Sequence, residues 1–225
     1  MTDEMTDENP QQASEDVRQA ASDTVQQGVD VRDRVRDITL MALRRHRLDH
    51  HGVRDVARAV TEGMAAGAEK TTADMRYALS EAFRGLDDAM QKSAVAGREA
   101  LQQLATAGKD FSESEFKHGL ESIKKLEDEF LAAAHKAADM ANDKVRPELR
   151  QLLEGARRGG TETGRQVAAT MGEFAQRFST ASMNAAITGL EAAGEIGTRF
   201  SQIASGVLNG IAEALAESRK DRKST

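Results

Sequence analysis

Cysteine and tryptophan are absent, proline occurs twice, and aromatic residues make up 4% of the 225 residues. Without cysteine the chain can form no disulfide, has no thiolate nucleophile and offers no sulfur ligand to a metal. That absence fits a reducing, cytoplasmic setting. The two prolines are Pro10 and Pro147. The stretch 11–146 therefore holds no residue that lacks a backbone N–H or clashes with a preceding helical turn. No apolar run approaches the roughly 18 residues of a membrane-spanning helix. The closest approach is 200–212, which is rich in Ser and Gly and closed by Glu213. The acidic N-terminus lacks the basic and then apolar order of a signal peptide, so none is expected.

What fills the chain instead is Ala, Glu, Gln, Lys, Arg, Leu and Met, the residues that lose least on becoming helical. Hydrophobic residues reach 39%, but much of that is Ala, which lets backbones approach yet buries little area, so a thick core is not expected. Charged residues reach 30% with both signs interspersed, the pattern of solvated helix faces. The net charge of −6 has a local origin, because Asp3, Glu4, Asp7, Glu8, Glu15 and Asp16 precede any Lys or Arg. The tandem Met1-Thr2-Asp3-Glu4 and Met5-Thr6-Asp7-Glu8, ended by Pro10, reads as a disordered acidic tail over 1–13.

Four helical segments are expected. The first, about 14–48, carries Val31, Val35, Ile38 and Ala42 on one face, is weakened at Gly28, and ends at His50-His51-Gly52. The second, about 53–107, carries an apolar stripe with steps of 3, 4 and 4 from Val53 through Met64, Met75 and Met90 to Leu104. That period keeps a stripe straight or slightly right-handed over a helix of roughly 80 Å. Gly63, Gly67, Gly85 and Gly97 inside it call for a partner along its length. Gly108 is the expected stop, and Asp110 with Glu113, or Ser112 with Glu115, supplies a capping box. The third segment, about 111–158, is kinked or broken at Pro147 and leaves through Gly159-Gly160. The fourth, about 161–218, has an apolar row including Phe174, Phe178, Phe200, Val207 and Ile211. Beside it runs a row of small residues at every fourth place: Ala181, Ala185, Gly189, Ala193, Gly197, Ser201 and Ser205. Such a ridge lets two helix axes approach closely. A basic, frayed tail over 219–225 closes the chain.

Catalytic patterns are missing: there is no glycine-rich phosphate loop, nucleophile elbow or HExxH. Glu115 and His118 make one ExxH, but a di-iron bundle needs two, so a chance surface match is the better reading. His46 and His50 have zinc-compatible spacing, yet no third ligand of defined geometry follows, which favours a solvated helix end. Between 32 and 58 eight arginines face Asp33, Asp37, Asp49 and Asp55. That excess could meet phosphate, but no aromatics interleave it, so nucleic acid is a minority reading. The apolar turn 38–43 followed by Arg44, Arg45 and Arg47 suits a membrane or granule interface better, and its bland alternative is a helix buried among neighbours. The methionines are best read as packing filler.

Ala-rich helices with stripes such as Phe174, Phe178, Leu190, Ile196 and Phe200, and no cysteine or tryptophan, resemble phasins, the amphipathic proteins that coat polyhydroxyalkanoate granules in bacteria. The patch Gly164-Arg165-Gln166-Val167-Ala168-Ala169-Thr170-Met171 also resembles an uncharacterised bacterial helical family. The expected fold is all-α: an elongated antiparallel bundle of about four helices, two or three very long, forming one domain over 14–218. The expected function is non-enzymatic: self-association and coating of an apolar granule or membrane surface. The alternative is a soluble coiled-coil scaffold or adaptor that forms a fixed oligomer. No cofactor, metal or small-molecule substrate is expected, and a homo-oligomer is. The interface candidates are Ile38, Met41, Leu43, Arg44, Arg45, Arg47, Phe174, Phe178, Gly189, Ala193, Gly197, Phe200, Val207 and Ile211.

Overall fold

The computed structural model describes residues 10–45, 50–106, 113–181 and 198–223, and all of its regular structure is helical. Eight helices follow one another: α1 (Pro10–Gln27), α2 (Val31–Arg45), α3 (His50–Lys70), α4 (Met75–Thr106), α5 (Glu113–Met140), α6 (Arg146–Gly159), α7 (Glu162–Ala181) and α8 (Thr198–Lys223). The all-α expectation holds, but the segments are cut more often than about four.

Each cut has a local cause. Gly28 does not merely weaken the first segment. It takes a left-handed φ of 68° and ends α1, and Asp30 follows with a φ of 48°. The second segment is not one helix of 80 Å. It breaks over 71–74, where Asp74 turns its Oδ1 onto the N–H groups of Arg76 and Tyr77 at 2.9 and 3.2 Å. This is an N-cap, and it starts α4 without any glycine or proline. His50, His51 and Gly52 open α3 instead of closing the helix before it. Pro147 divides the third segment: α5 ends at Met140, and Pro147 stands in the first turn of α6, where its missing N–H costs nothing. Gly160, with a φ of 78°, separates α6 from α7 as expected. Pro10 to Ala13, expected in the acidic tail, belong to α1, and 219–223, expected to fray, belong to α8. The rest of the acidic tail, Gly108, and the capping-box residues Asp110 and Ser112 lie outside the described residues.

The helices stack as hairpins. The neighbours Arg18 and Gly63, Ser22 and Gly67, and Gln26 and Thr71 advance together, so α1 and α3 run the same way side by side. Arg32 and Arg36 lie against Gly85 of α4, which aligns α2 with α4. Asp87 meets the start of α7 and Arg98 meets Glu173, so α7 follows α4 in the same sense. Helix α5 returns against α4, with Gly119 beside Leu101, Ile123 beside Gly97 and Phe130 beside Phe83. The result is three consecutive hairpins, α1–α2, α3–α4 and α5–α6–α7. Helices α1, α3 and α5 lie in one layer and α2, α4, α6 and α7 in the other, the way repeat proteins stack. Helix α8 packs along α4 and touches α2 and α5.

The glycines that let another helix's backbone touch belong to α3 and α4. A Cβ on Gly63 would sit 2.2 Å from the Arg18 carbonyl oxygen, on Gly67 2.3 Å from that of Ser22, and on Gly85 2.3 Å from that of Arg32. Only glycine lets these backbones touch. The core runs between the two layers and mixes many alanines with Leu79, Leu86, Met90, Leu101, Phe130 and Leu149, each at most 1% exposed. Helix α4, about 48 Å long, is its spine and contributes buried residues from Ala78 to Leu104.

Candidate interaction surface

Polar side chains inside the stack serve the fold. Asp87 on α4, 8% exposed, accepts hydrogen bonds from the N–H groups of Glu162 and Thr163 at 2.9 and 3.1 Å and from the Thr163 hydroxyl at 2.6 Å. It caps α7 from another helix and answers that helix's positive end. Thr161 Oγ1 accepts from the Gly164 N–H at 2.8 Å and donates to Glu127 Oε1 at 2.5 Å. Glu173 accepts from Arg98 at 2.7 Å and Gln102 at 3.0 Å, and beside it Phe174 meets the edge of Phe116 with ring centroids 5.3 Å apart.

The arginine-rich stretch is largely committed to partners. Arg32 forks onto Asp88 at 2.7 and 2.9 Å, Arg54 reaches Glu129 at 2.6 Å, and Arg36 reaches Asp33 at 2.6 Å and Asp37 at 3.0 Å. The hydrogen bond to Asp88 holds the Arg32 guanidinium above its ordinary pKa, and those to Glu148 and Glu173 do the same for Arg76 and Arg98. Among the described residues no group of three His, Asp or Glu could hold a metal ion. His118 is exposed, while the side chain of Glu115 and the residues His46 and Asp49 lie outside the described residues.

The expected interface residues divide into two sets. Leu43, Phe174 and Phe200 are buried in the folded chain. Ile38, Met41, Arg44, Arg45, Val207 and Ile211 reach the surface to different degrees. Phe178 lies in α7 where only the backbone is described, and Arg47, Gly189, Ala193 and Gly197 lie outside the described residues.

The second set converges. On α2, Arg34, Ile38, Met41 and Arg45 share one face by their spacing, and Met41 is 55% exposed. Arg44 Nε donates to Asn209 Oδ1 at 2.6 Å, and Arg44 stands 3.6 Å from Glu213, which fixes the end of α2 beside the second half of α8. There Val207, Ile211 and Leu215, spaced by four, pack on the core and are partly buried. The surface is thus a half-covered apolar band on two helices, with arginines beside it. Sequence reasoning found both stretches but not their junction, because nothing in the sequence pairs Arg44 with Asn209. It also missed a second group: the hairpin turns bring exposed Val29, Tyr77 and Met140 to one end of the stack.

No described helix is long and apolar enough to cross a membrane. The chain belongs to DUF6781, a family of unknown function, whose family profile matches residues 5–217. No curated protein and no solved structure matches it. The match agrees with the resemblance to an uncharacterised helical family, whereas the resemblance to phasins finds no support.

Proposed function

We propose that this protein is a non-enzymatic binding protein that docks its α2–α8 face onto an apolar surface bearing anionic groups. The observation that carries the reading is the band of exposed Met41 and partly buried Ile38, Val207, Ile211 and Leu215 beside Arg34, Arg44 and Arg45. An apolar stripe left incompletely covered, next to cations, has the composition of an interfacial helix. Co-sedimentation of the full chain with phosphatidylcholine vesicles, with and without phosphatidylglycerol, tests it. Binding to the anionic vesicles that weakens with salt and with Met41→Glu supports the reading; absence from every vesicle pellet overturns it.

A second reading, a scaffold that self-associates into a fixed oligomer, is favoured by the exposed Val29, Tyr77 and Met140 at the hairpin turns. Large apolar side chains gathered at one end suit a protein partner or a second copy. Light scattering separates the two: a single oligomer that Tyr77→Ser dissociates supports the scaffold, and a monomer at all concentrations overturns it.

A further inference from the structure

We infer that α8 is a releasable strap fastened by Phe200, and that an anionic phospholipid bilayer takes up its apolar face when the strap lifts. This rests on the docking reading and adds the moving part to it.

The fastening is a seat that one glycine opens on α5, with a second glycine of the antiparallel α4 at ordinary contact distance. A Cβ on Gly119 of α5 would lie 2.6 Å from Phe200 Cδ2, and one on Gly97 of α4 would lie 3.5 Å from its Cζ. The ring fills that space and is 2% exposed. Beyond it the attachment thins. Ala204 and Leu208 are buried, but no residue in 209–217 is. Polar ties of this second half include Arg44 to Asn209 and Arg44 to the exposed Glu213.

Two further observations describe a loosely held helix. A narrow crevice of about 20 Å³ lies where α8 meets α3, α4 and α5, lined by Val53, Gly97, Ile123, Leu126, Phe200 and Ala204, with Lys125 and Glu129 beside them. Its serines, Ser93 and Ser122, donate to the carbonyls of Ala89 and His118 on their own helices. Apart from Lys125 and Glu129 the crevice wall is therefore apolar, and a few packing contacts are missing across it. Gly206 and Gly210 of α8 face open space, so they weaken the helix without enabling any contact.

The bilayer is named by charge and pattern together. Arg219, Lys220, Arg222 and Lys223, against Asp221 alone, occupy the last turns of α8. Lifting the helix would free Phe200, Ile203, Val207, Leu208, Ile211 and Leu215, an apolar face followed by cations. Such a helix lies in an interface whose headgroups are negative.

The test uses the full chain in two experiments. Hydrogen exchange without lipid compares the unmodified protein with Phe200→Ala and with Gly119→Ala, which crowds the ring and Leu101 of α4 while leaving the sequence of α8 intact. Exchange in α8 should rise about tenfold in both variants, far more than in α3 and α4. Less phosphatidylglycerol-containing lipid should then suffice for binding by Gly119→Ala, with no gain on pure phosphatidylcholine. Exchange that rises equally in α4 and α8, or loss of all helix in Phe200→Ala, overturns the strap. Early exchange in α8 with no binding to any vesicle upholds the strap and overturns both the docking reading and the lipid assignment.

Discussion

Two glycine pairs with the same spacing sit in this chain and meet opposite surroundings. In α3, Gly63 and Gly67 press against the backbone of α1, where a single added carbon would collide with carbonyl oxygens at 2.2 and 2.3 Å. In α8, Gly206 and Gly210 have nothing within 4 Å of where that carbon would stand. The first pair costs helix propensity and returns it as backbone contact over the length of α1; the second pair costs the same with no return. One helix is locked by its glycines and the other is loosened by them. The fold therefore combines a rigid stack of hairpins with a helix held mainly at one end.

Substitutions sharpen or break this contrast. The largest effect is expected at Gly63→Leu, which must push α1 and α3 apart and should lower stability by about 4 kcal/mol in denaturant unfolding. A loss under about 1 kcal/mol would show that α1 can move aside and that the lock does not exist. Asp87→Ala comes next. It strips the cap from α7 and leaves the Thr163 hydroxyl without its carboxylate partner, for a loss of about 2 kcal/mol. A negligible loss would place α7 with α8 among the weakly held helices. Gly206→Ala should have the opposite sign, a gain of about 0.5–1 kcal/mol, because the site has room and alanine favours a helix. Destabilisation there would mean that the open side of α8 is already in use.

The smallest effect concerns pH. Hydrogen bonds from Arg18 and Arg165 hold Glu15 and Glu162 below the ordinary carboxylate value of 4.5. Their contribution is present above that value and is lost as pH falls through the depressed values, when each glutamate takes a proton and releases its arginine. Both pairs are at the surface, so acid titration of stability should show only a slight, salt-sensitive loss from them. A steep loss near pH 4.5 would require some other carboxylate to hold the stack.

Much of the helical content was legible because it follows from composition and spacing. The stripe from Val53 to Leu104 does line the core, and Gly160 does separate two helices. The demand that Gly63, Gly67 and Gly85 find partners was also legible, although the identity of α1 and α2 as those partners was not. The break at 71–74 escaped because it contains neither glycine nor proline. Its signal is Asp74 as an N-cap, a hydrogen bond whose side chain reads equally well as a solvated helix charge. The parallel course of α1 and α3 escaped for another reason: once a helix of 80 Å was assumed, no hairpin existed to stack. For the candidate surface, the apolar turn 38–43 and the stripe of α8 were each visible, but Leu43 and Phe200 looked equivalent to Met41 and Ile211. Only the packed structure separates residues that fasten from residues that remain half-covered.

The most direct test of the contrast is native-state hydrogen exchange of the unmodified chain, followed across low denaturant concentrations. The account predicts that amides of α3 and α4 exchange only with global unfolding, while those of α8, 209–217 above all, exchange through a smaller opening nearly independent of denaturant. Exchange of α8 and α3 with the same free energy and the same denaturant dependence would contradict it.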